Sequence, residues 1–301
     1  MSTTREFAFR ALDGSGLLGY LAALGLMSIL EAEDPGIRAK WVTSEASPYP
    51  TLEVPGEMKR ADLVERLYAA RGCWERKLAS LPDKMRETFA SLGFDAETYR
   101  EFAQYSLTDE STKALAGFAG TEQARLSRKG ERRFARSPFY FFSGQQDLTG
   151  TILEIASNVS RNDLEKLFDC WPAEIPLRRT RCLRFEPQEV EDHALRMMDP
   201  SGDASPKNVT ANFLASLALP LLYSWPSEWG SEALNNRSSG DGDRQLGWRL
   251  WDEWLSLKAA LSVQRVTLGK PISQGLAFSA KAVLAVRGQT YYRMLPSRQE
   301  G

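Results

Sequence analysis

The hydrophobic pattern is densest near the start of the chain, where Gly14 to Leu30 runs without a charged residue. Leu17, Tyr20, Leu21, Leu24 and Met27 recur at three- and four-residue steps and predict one face of a helix. Leu18, Ala22, Gly25 and Ile29 predict a second face, thin in its middle. A helix that is apolar all round is buried on more than one side. Ala22 and Gly25 would let another element come close. The pattern therefore predicts a central helix, capped by Asp13 or Ser15, stopped by Asp34-Pro35-Gly36 and packed on a sheet.

The remaining periodicities arrange themselves around it. Residues 5–12 and 38–44 read as strands, with a short extended piece at Thr51–Val54. Helical spacing runs from Met58 to about Tyr105, within a helical insertion spanning 58–130. Phe139-Tyr-Phe-Phe142 is too short for a helix and reads as a buried strand. Leu148–Val159 is an amphipathic helix; Asn162 or Asp163 starts another, which ends before Pro172. Residues 178–185 alternate as a strand, 199–206 read as a loop, and Val209–Tyr223 is an apolar helix broken at Pro220. Residues 235–245 are polar and Gly-rich and are expected to be a flexible loop. A short helix ends near Val263, and residues 276–286 and 289–295 read as a terminal β-hairpin. The expected fold is α+β: one unit over 1–301, with an antiparallel sheet from both chain ends packed on the buried N-terminal helix.

Composition narrows the function classes. The chain has 301 residues, with 38 Lys and Arg against 39 Asp and Glu, so its net charge of −1 offers no global attraction for nucleic acid. Such binding would use local patches or a neighbouring subunit. Cys73, Cys170 and Cys182 are three, widely spaced and without C-x-x-C, which suits a reducing cytoplasm better than a disulfide framework or zinc site. The apolar run from Leu17 to Leu30 falls short of the roughly 20 residues that span a membrane. A cytoplasmic protein without a membrane partner is expected.

Candidate chemistry is sparse. Gly14, Gly16 and Gly19 spell G-x-G-x-x-G, the outline of a dinucleotide-binding turn. The alternating strand before it and the missing β–α–β rhythm after it favour a plain strand–helix turn. His193 is the sole histidine, Asp241-Gly-Asp243 lacks the later ligands of a calcium loop, and Gly269-Lys270 lacks the first glycine of a phosphate loop. No catalytic set, metal site or cofactor is expected. Two basic runs stand out instead: Arg125, Arg128, Lys129, Arg132, Arg133 and Arg136, then Arg178, Arg179, Arg181 and Arg184. A basic run is a solvated surface or a phosphate-contact site. Gln145, Gln146, Lys207 and Asn208 could add base-edge or backbone bonds. Trp248, Trp251 and Trp254, at three-residue spacing, would share one helix face and could anchor a partner.

Several stretches together resemble a known family. Gly16-Leu-Leu-Gly-Tyr-Leu-Ala-Ala-Leu-Gly-Leu26 resembles the N-terminal helix of CRISPR effector large subunits, in particular the subtype I-G (formerly I-U, Geobacter-type "Dpsyc") Cascade large subunit. Phe142-Ser-Gly-Gln-Gln146, Leu183-Arg-Phe-Glu-Pro187, His193-Ala-Leu195, Asp199-Pro200, Phe213–Pro220 and the Val286–Arg293 hairpin follow that family's order. The resemblance implies a non-catalytic DNA-binding subunit of a type I interference complex. Its partners would be a guide-RNA complex with other Cascade subunits, target double-stranded DNA and a helicase–nuclease. Its role would be to help recognise the motif beside the target, hold the opened DNA and recruit the nuclease. The rival readings are a nucleotide-dependent enzyme using the Gly14–Gly19 turn and a purely structural assembly subunit.

Overall fold

The computed structural model describes residues 4–109, 112–124, 126, 127, 130–141, 147–187, 207–228, 230–238, 244–267, 276–284 and 292–300. His193, Asp241, Asp243, Gly269 and Lys270, and the loop expected at 199–206, lie outside them. The fold is α+β.

The N-terminal part is a strand, a helix and two more strands: β1 (Thr4–Ala8), α1 (Leu17–Glu33), β2 (Arg38–Val42) and β3 (Tyr49–Pro55). The strands form an antiparallel sheet in the order β1-β3-β2, with Phe7 opposite Leu52 and Ala39 opposite Leu52 on the other side. This helix, uncharged up to Leu30, is the centre of the molecule, as its pattern predicts. Every residue from Leu17 to Met27 is buried. Its main partner is α9 (Val209–Ala218). Gly25 makes that contact possible: a Cβ there would collide with the Leu214 carbonyl and sit 3.2 Å from the Ala218 nitrogen. All ten residues of α9 are buried too. The 3₁₀ turn Leu219–Leu221 follows, where Pro220 cannot continue the helix.

The insertion is helical through α2 (Arg60–Ala69), α3 (Cys73–Ala79), α4 (Asp83–Ser91), α5 (Ala96–Thr108) and α6 (Lys113–Ala119). Asp95 caps α5, accepting from the Glu97 and Thr98 main-chain N–H groups. Leu63, Trp74, Phe89, Phe102 and Phe118 join the same core as α1, and the Trp74 indole donates to the Ser216 carbonyl of α9. A two-stranded ribbon, β4 (Gly120–Glu122) with β5 (Phe134–Arg136), closes this part. Two further helices follow, α7 (Leu148–Ser157) and α8 (Arg161–Asp169). Each starts at a side-chain cap, Asp147 and Ser160 respectively.

The C-terminal part differs from the expectation of one sheet built by both chain ends. Among the described residues it is a separate seven-stranded antiparallel sheet. It comprises β6 (Ser224–Ser227), β7 (Gly230–Ala233), β8 (Asn236–Ser238), β9 (Arg244–Arg249), β10 (Ala277–Leu284), β11 (Tyr292–Met294) and β12 (Arg298–Glu300). The hairpin pairing of β10 with β11 is as read, with Val283 opposite Arg293. The link between the sheets is the chain leaving β9. Leu255 and Ala39 exchange main-chain bonds of 2.9 Å, and the Trp41 N–H donates to the Trp251 carbonyl at 2.8 Å. The helix α10 (Leu257–Thr267) comes after it.

Three sequence readings are corrected here. Phe139–Phe141 are buried but form a turn, not a strand. Residues 178–185 are irregular and form no ladder apart from one bridge between Arg178 and Lys207, with bends at 179 and 180 and Arg184 at φ 63°. Of the loop expected at 235–245, Asn236–Ser238 and Arg244–Gln245 are strand; residues 239–243 lie outside the described residues.

Candidate nucleic-acid interface

Of the first basic run, Arg136 lies in β5, and Arg132 and Arg133 lead into it. Past β4 and β5 the two arms stay joined: the Gln123 N–H donates to the Arg133 carbonyl, and the Ser127 N–H to the Glu131 carbonyl, both at 2.8 Å. Gly130, at φ 76°, takes the left-handed conformation the tight turn needs. The base of this hairpin is fixed. Phe134 packs on Phe94 and Tyr99 at centroid distances of 5.4 and 4.9 Å. Arg136 donates to the Leu92 carbonyl (3.0 Å) and lies over the Tyr140 ring. Arg136 is thus a fastening residue. Further out, Glu122 pairs with Arg100 and lies 3.6 Å from Arg132. Arg132 and Arg133 are exposed, and Leu126 is half exposed between them and the turn. Arg125, Arg128, Lys129, Gln145 and Gln146 lie outside the described residues.

The second run is built differently. Arg178 donates to the buried Asp163 carboxylate at 2.6 Å and to the Asn158 carbonyl at 3.0 Å. Burial alone would raise the Asp163 pKa, but the Ser160 hydroxyl and N–H and the Arg178 guanidinium outweigh it and hold the carboxyl below its ordinary value. Arg181 pairs with Glu154 at 3.1 Å and lies 3.8 Å from Asp147. Arg179 is exposed. Lys207 is only 1% exposed, and its main chain bonds Arg178 in both directions. The Asn208 side-chain Oδ1 caps α9 by accepting from the Ala211 N–H at 3.0 Å. Lys207 is therefore buried, and Asn208 is half-buried at the start of α9.

The segment 178–186 is held by side chains in place of a sheet ladder. Glu154 accepts from the Arg181 N–H, and Asn212 of α9 accepts from the Leu183 N–H at 2.8 Å. At its end, Glu186 accepts from the Leu18 N–H at 3.2 Å. That bond corrects the capping expectation. Gly16 is the N-cap of α1 and makes no side-chain cap bond, while Asp13 is turned onto the Ser15 N–H and hydroxyl.

The glycines of the G-x-G-x-x-G turn are explained by the same packing. A Cβ at Gly14 would meet the Trp41 ring and Leu250, one at Gly16 the Glu186 carboxylate, and one at Gly19 the Asp13 main chain. A cleft of about 420 Å³ opens beside this turn, between Asp13, Ser15, Glu186, Lys207 and Asn208.

The three tryptophans do not share a helix face. Trp248 lies in β9, is 3% exposed, and donates its indole N–H to the Gly14 carbonyl at 2.8 Å. Trp251 is 5% exposed and donates to the Ala39 carbonyl at 2.8 Å. These two fasten the C-terminal part to the N-terminal turn and to β2, which removes them as exposed partner anchors. Trp254 is half-buried beneath the Lys40 ammonium, 4.2 Å from its ring centroid.

With that geometry in hand, comparison with protein-family models, curated proteins and solved structures finds no match. Among the described residues no group of three or more His, Cys, Asp or Glu could hold a metal ion, and no helix is long and apolar enough to cross a membrane. Sequence reasoning missed Glu154, Asp163 and Glu186, the carboxylates that organise the second basic run. Their only signal was an acidic residue on a helix or beside a proline, which says nothing of a partner tens of residues away.

Proposed function

We propose that this chain is a non-catalytic large subunit of a type I CRISPR interference complex. It works in the cytoplasm with a guide RNA and other Cascade subunits. There it contacts target DNA beside the guide-paired region and recruits a helicase–nuclease. Guide pairing reads the target, so the protein need supply only phosphate contacts and a few base-edge contacts.

The observation that carries this reading is the hairpin of residues 120–136. The sequence of this stretch carries six basic residues against Glu122 and Glu131; among the described residues its ribbon is fastened at its base by Phe134 and Arg136 and exposed at Arg132 and Arg133. A rigidly rooted basic ribbon suits a polyanion, since it neutralises phosphates without ordering a loop. The stretches that carry the family resemblance support it as well: Gly16–Leu26 and Phe213–Ala218 are the two helices packed face to face at the core. The nucleotide-enzyme reading is weaker, because Glu186 takes the α1 N-terminus that a pyrophosphate would use.

The test replaces Arg128, Lys129, Arg132 and Arg133 with Ala in the assembled complex. Target binding weakens and its salt dependence flattens. Unaltered binding at every salt concentration would favour a purely structural subunit.

A further inference from the structure

We infer that Glu154 is a specificity-determining residue. It competes internally for Arg181 and keeps the second basic run off nucleic acid, so that backbone contact falls to the 120–136 hairpin. The inference rests on the proposed reading that this chain binds nucleic acid, and deepens it by naming which cations take part.

Glu154 sits on α7 and makes three bonds to a single stretch of chain. Its Oε1 accepts from the Thr180 hydroxyl and the Arg181 N–H, both at 3.1 Å. Its Oε2 faces the Arg181 Nε at 3.1 Å. Asp147 stands on the other side of the same guanidinium at 3.8 Å. Arg178 is claimed in the same way by Asp163 and the Asn158 carbonyl. A phosphate approaching Arg181 must displace a carboxylate already attached to the fold, which acts at high effective concentration. Side-chain exposures of 40% for Arg181 and 38% for Glu154 mean that phosphate can reach the pair. What keeps it away is the competing acid, not burial.

Among the described residues the hairpin has no such arrangement. Glu122 is divided between Arg100 and Arg132, and the Arg132 contact is long at 3.6 Å. Arg133 points from the ribbon into solvent-exposed surroundings. The two runs look alike as sequence, but pairing acids brace Arg178 and Arg181, whereas Arg132 has only a long contact and Arg133 is exposed.

The experiment measures binding of the full chain to a mixed-sequence DNA duplex as salt is raised from about 50 to 200 mM. Wild type, Arg133→Gln, Arg181→Gln and Glu154→Gln are compared. Arg133→Gln is expected to flatten the slope of log K against log salt by about 0.9, the value for one phosphate contact. Arg181→Gln leaves the slope as in wild type. Glu154→Gln keeps acceptors for Thr180 and the Arg181 N–H but releases the guanidinium, and steepens the slope by about 0.9. A flattened slope for Arg181→Gln, or an unchanged slope for a Glu154→Gln protein with a wild-type melting temperature, overturns the inference and leaves the proposed function intact. No salt-dependent binding by any form, wild type included, overturns the inference, while the proposed function is judged by the assembled complex.

Discussion

Glu186 reaches across 168 positions of chain to accept a hydrogen bond from the Leu18 N–H, 3.2 Å away. The first turn of the central helix is therefore completed by the end of a segment fastened to α7, α8 and α9. A carboxylate there satisfies an orphan N–H and meets the positive end of the helix dipole. Glu186→Ala is expected to cost about 1–2 kcal/mol in urea denaturation. Glu186→Gln, which keeps an acceptor, should lose less than half of that. Equal losses would mean that packing and not the cap sets the cost.

Gly25 brings α1 and α9 together at a separation that excludes a methyl group. Gly25→Ala gains helix propensity, worth about 1 kcal/mol in an exposed helix. Here it must push the Leu214 carbonyl away inside a close-packed core, and overpacking costs about 1–3 kcal/mol. The variant should melt below wild type by calorimetry, although the same change on a free helix would stabilise.

Asp163 gives the fold a defined response to acid. Its carboxyl is held below the ordinary value, so its contribution is fully present above the unfolded pKa, about 3.9. The contribution is lost as pH falls through the lower, folded value. Unfolding free energy measured from neutral pH downward should fall below about pH 4 in wild type. Asp163→Asn should start about 1–3 kcal/mol lower and show a shallower fall over that acid range. A parallel fall in both proteins would assign the acid sensitivity elsewhere.

Trp248 and Trp254 separate packing from exposure. Trp248→Ala removes a buried ring and leaves the Gly14 carbonyl without its indole donor, at a cost of about 3–5 kcal/mol. Trp254→Ala, at a half-buried site, should stay within about 1 kcal/mol, the scale of a partly exposed cation–π contact. Chemical denaturation of the two variants checks the ranking.

Much of this fold is legible in the chain. Uncharged spacing marks α1 and α9, Pro220 marks the end of α9, and Asp95 marks the start of α5, because each depends on neighbours within a few residues. The failures share one cause. Phe139–Phe141 and Leu183–Phe185 announce burial, but burial does not say what satisfies the backbone. In the second case Glu154 and Asn212 do, where a strand partner was expected. Three-residue spacing suggested a helix for Trp248, Trp251 and Trp254, yet each indole is placed by a distant contact: Gly14, Ala39 or Lys40. The candidate interface was legible as basic composition. Its division into brace and contact surface was not, since that depends on carboxylates from other helices.

We propose that this chain belongs to an RNA-guided complex. The most direct measurement is to purify the tagged full chain from its own cells without denaturation and sequence the RNA that accompanies it. The account predicts short RNAs of uniform length, with a constant flank joined to many different spacer sequences, recovered with other protein subunits. Recovery of the chain without RNA, or with only a sample of bulk cellular RNA, would contradict it.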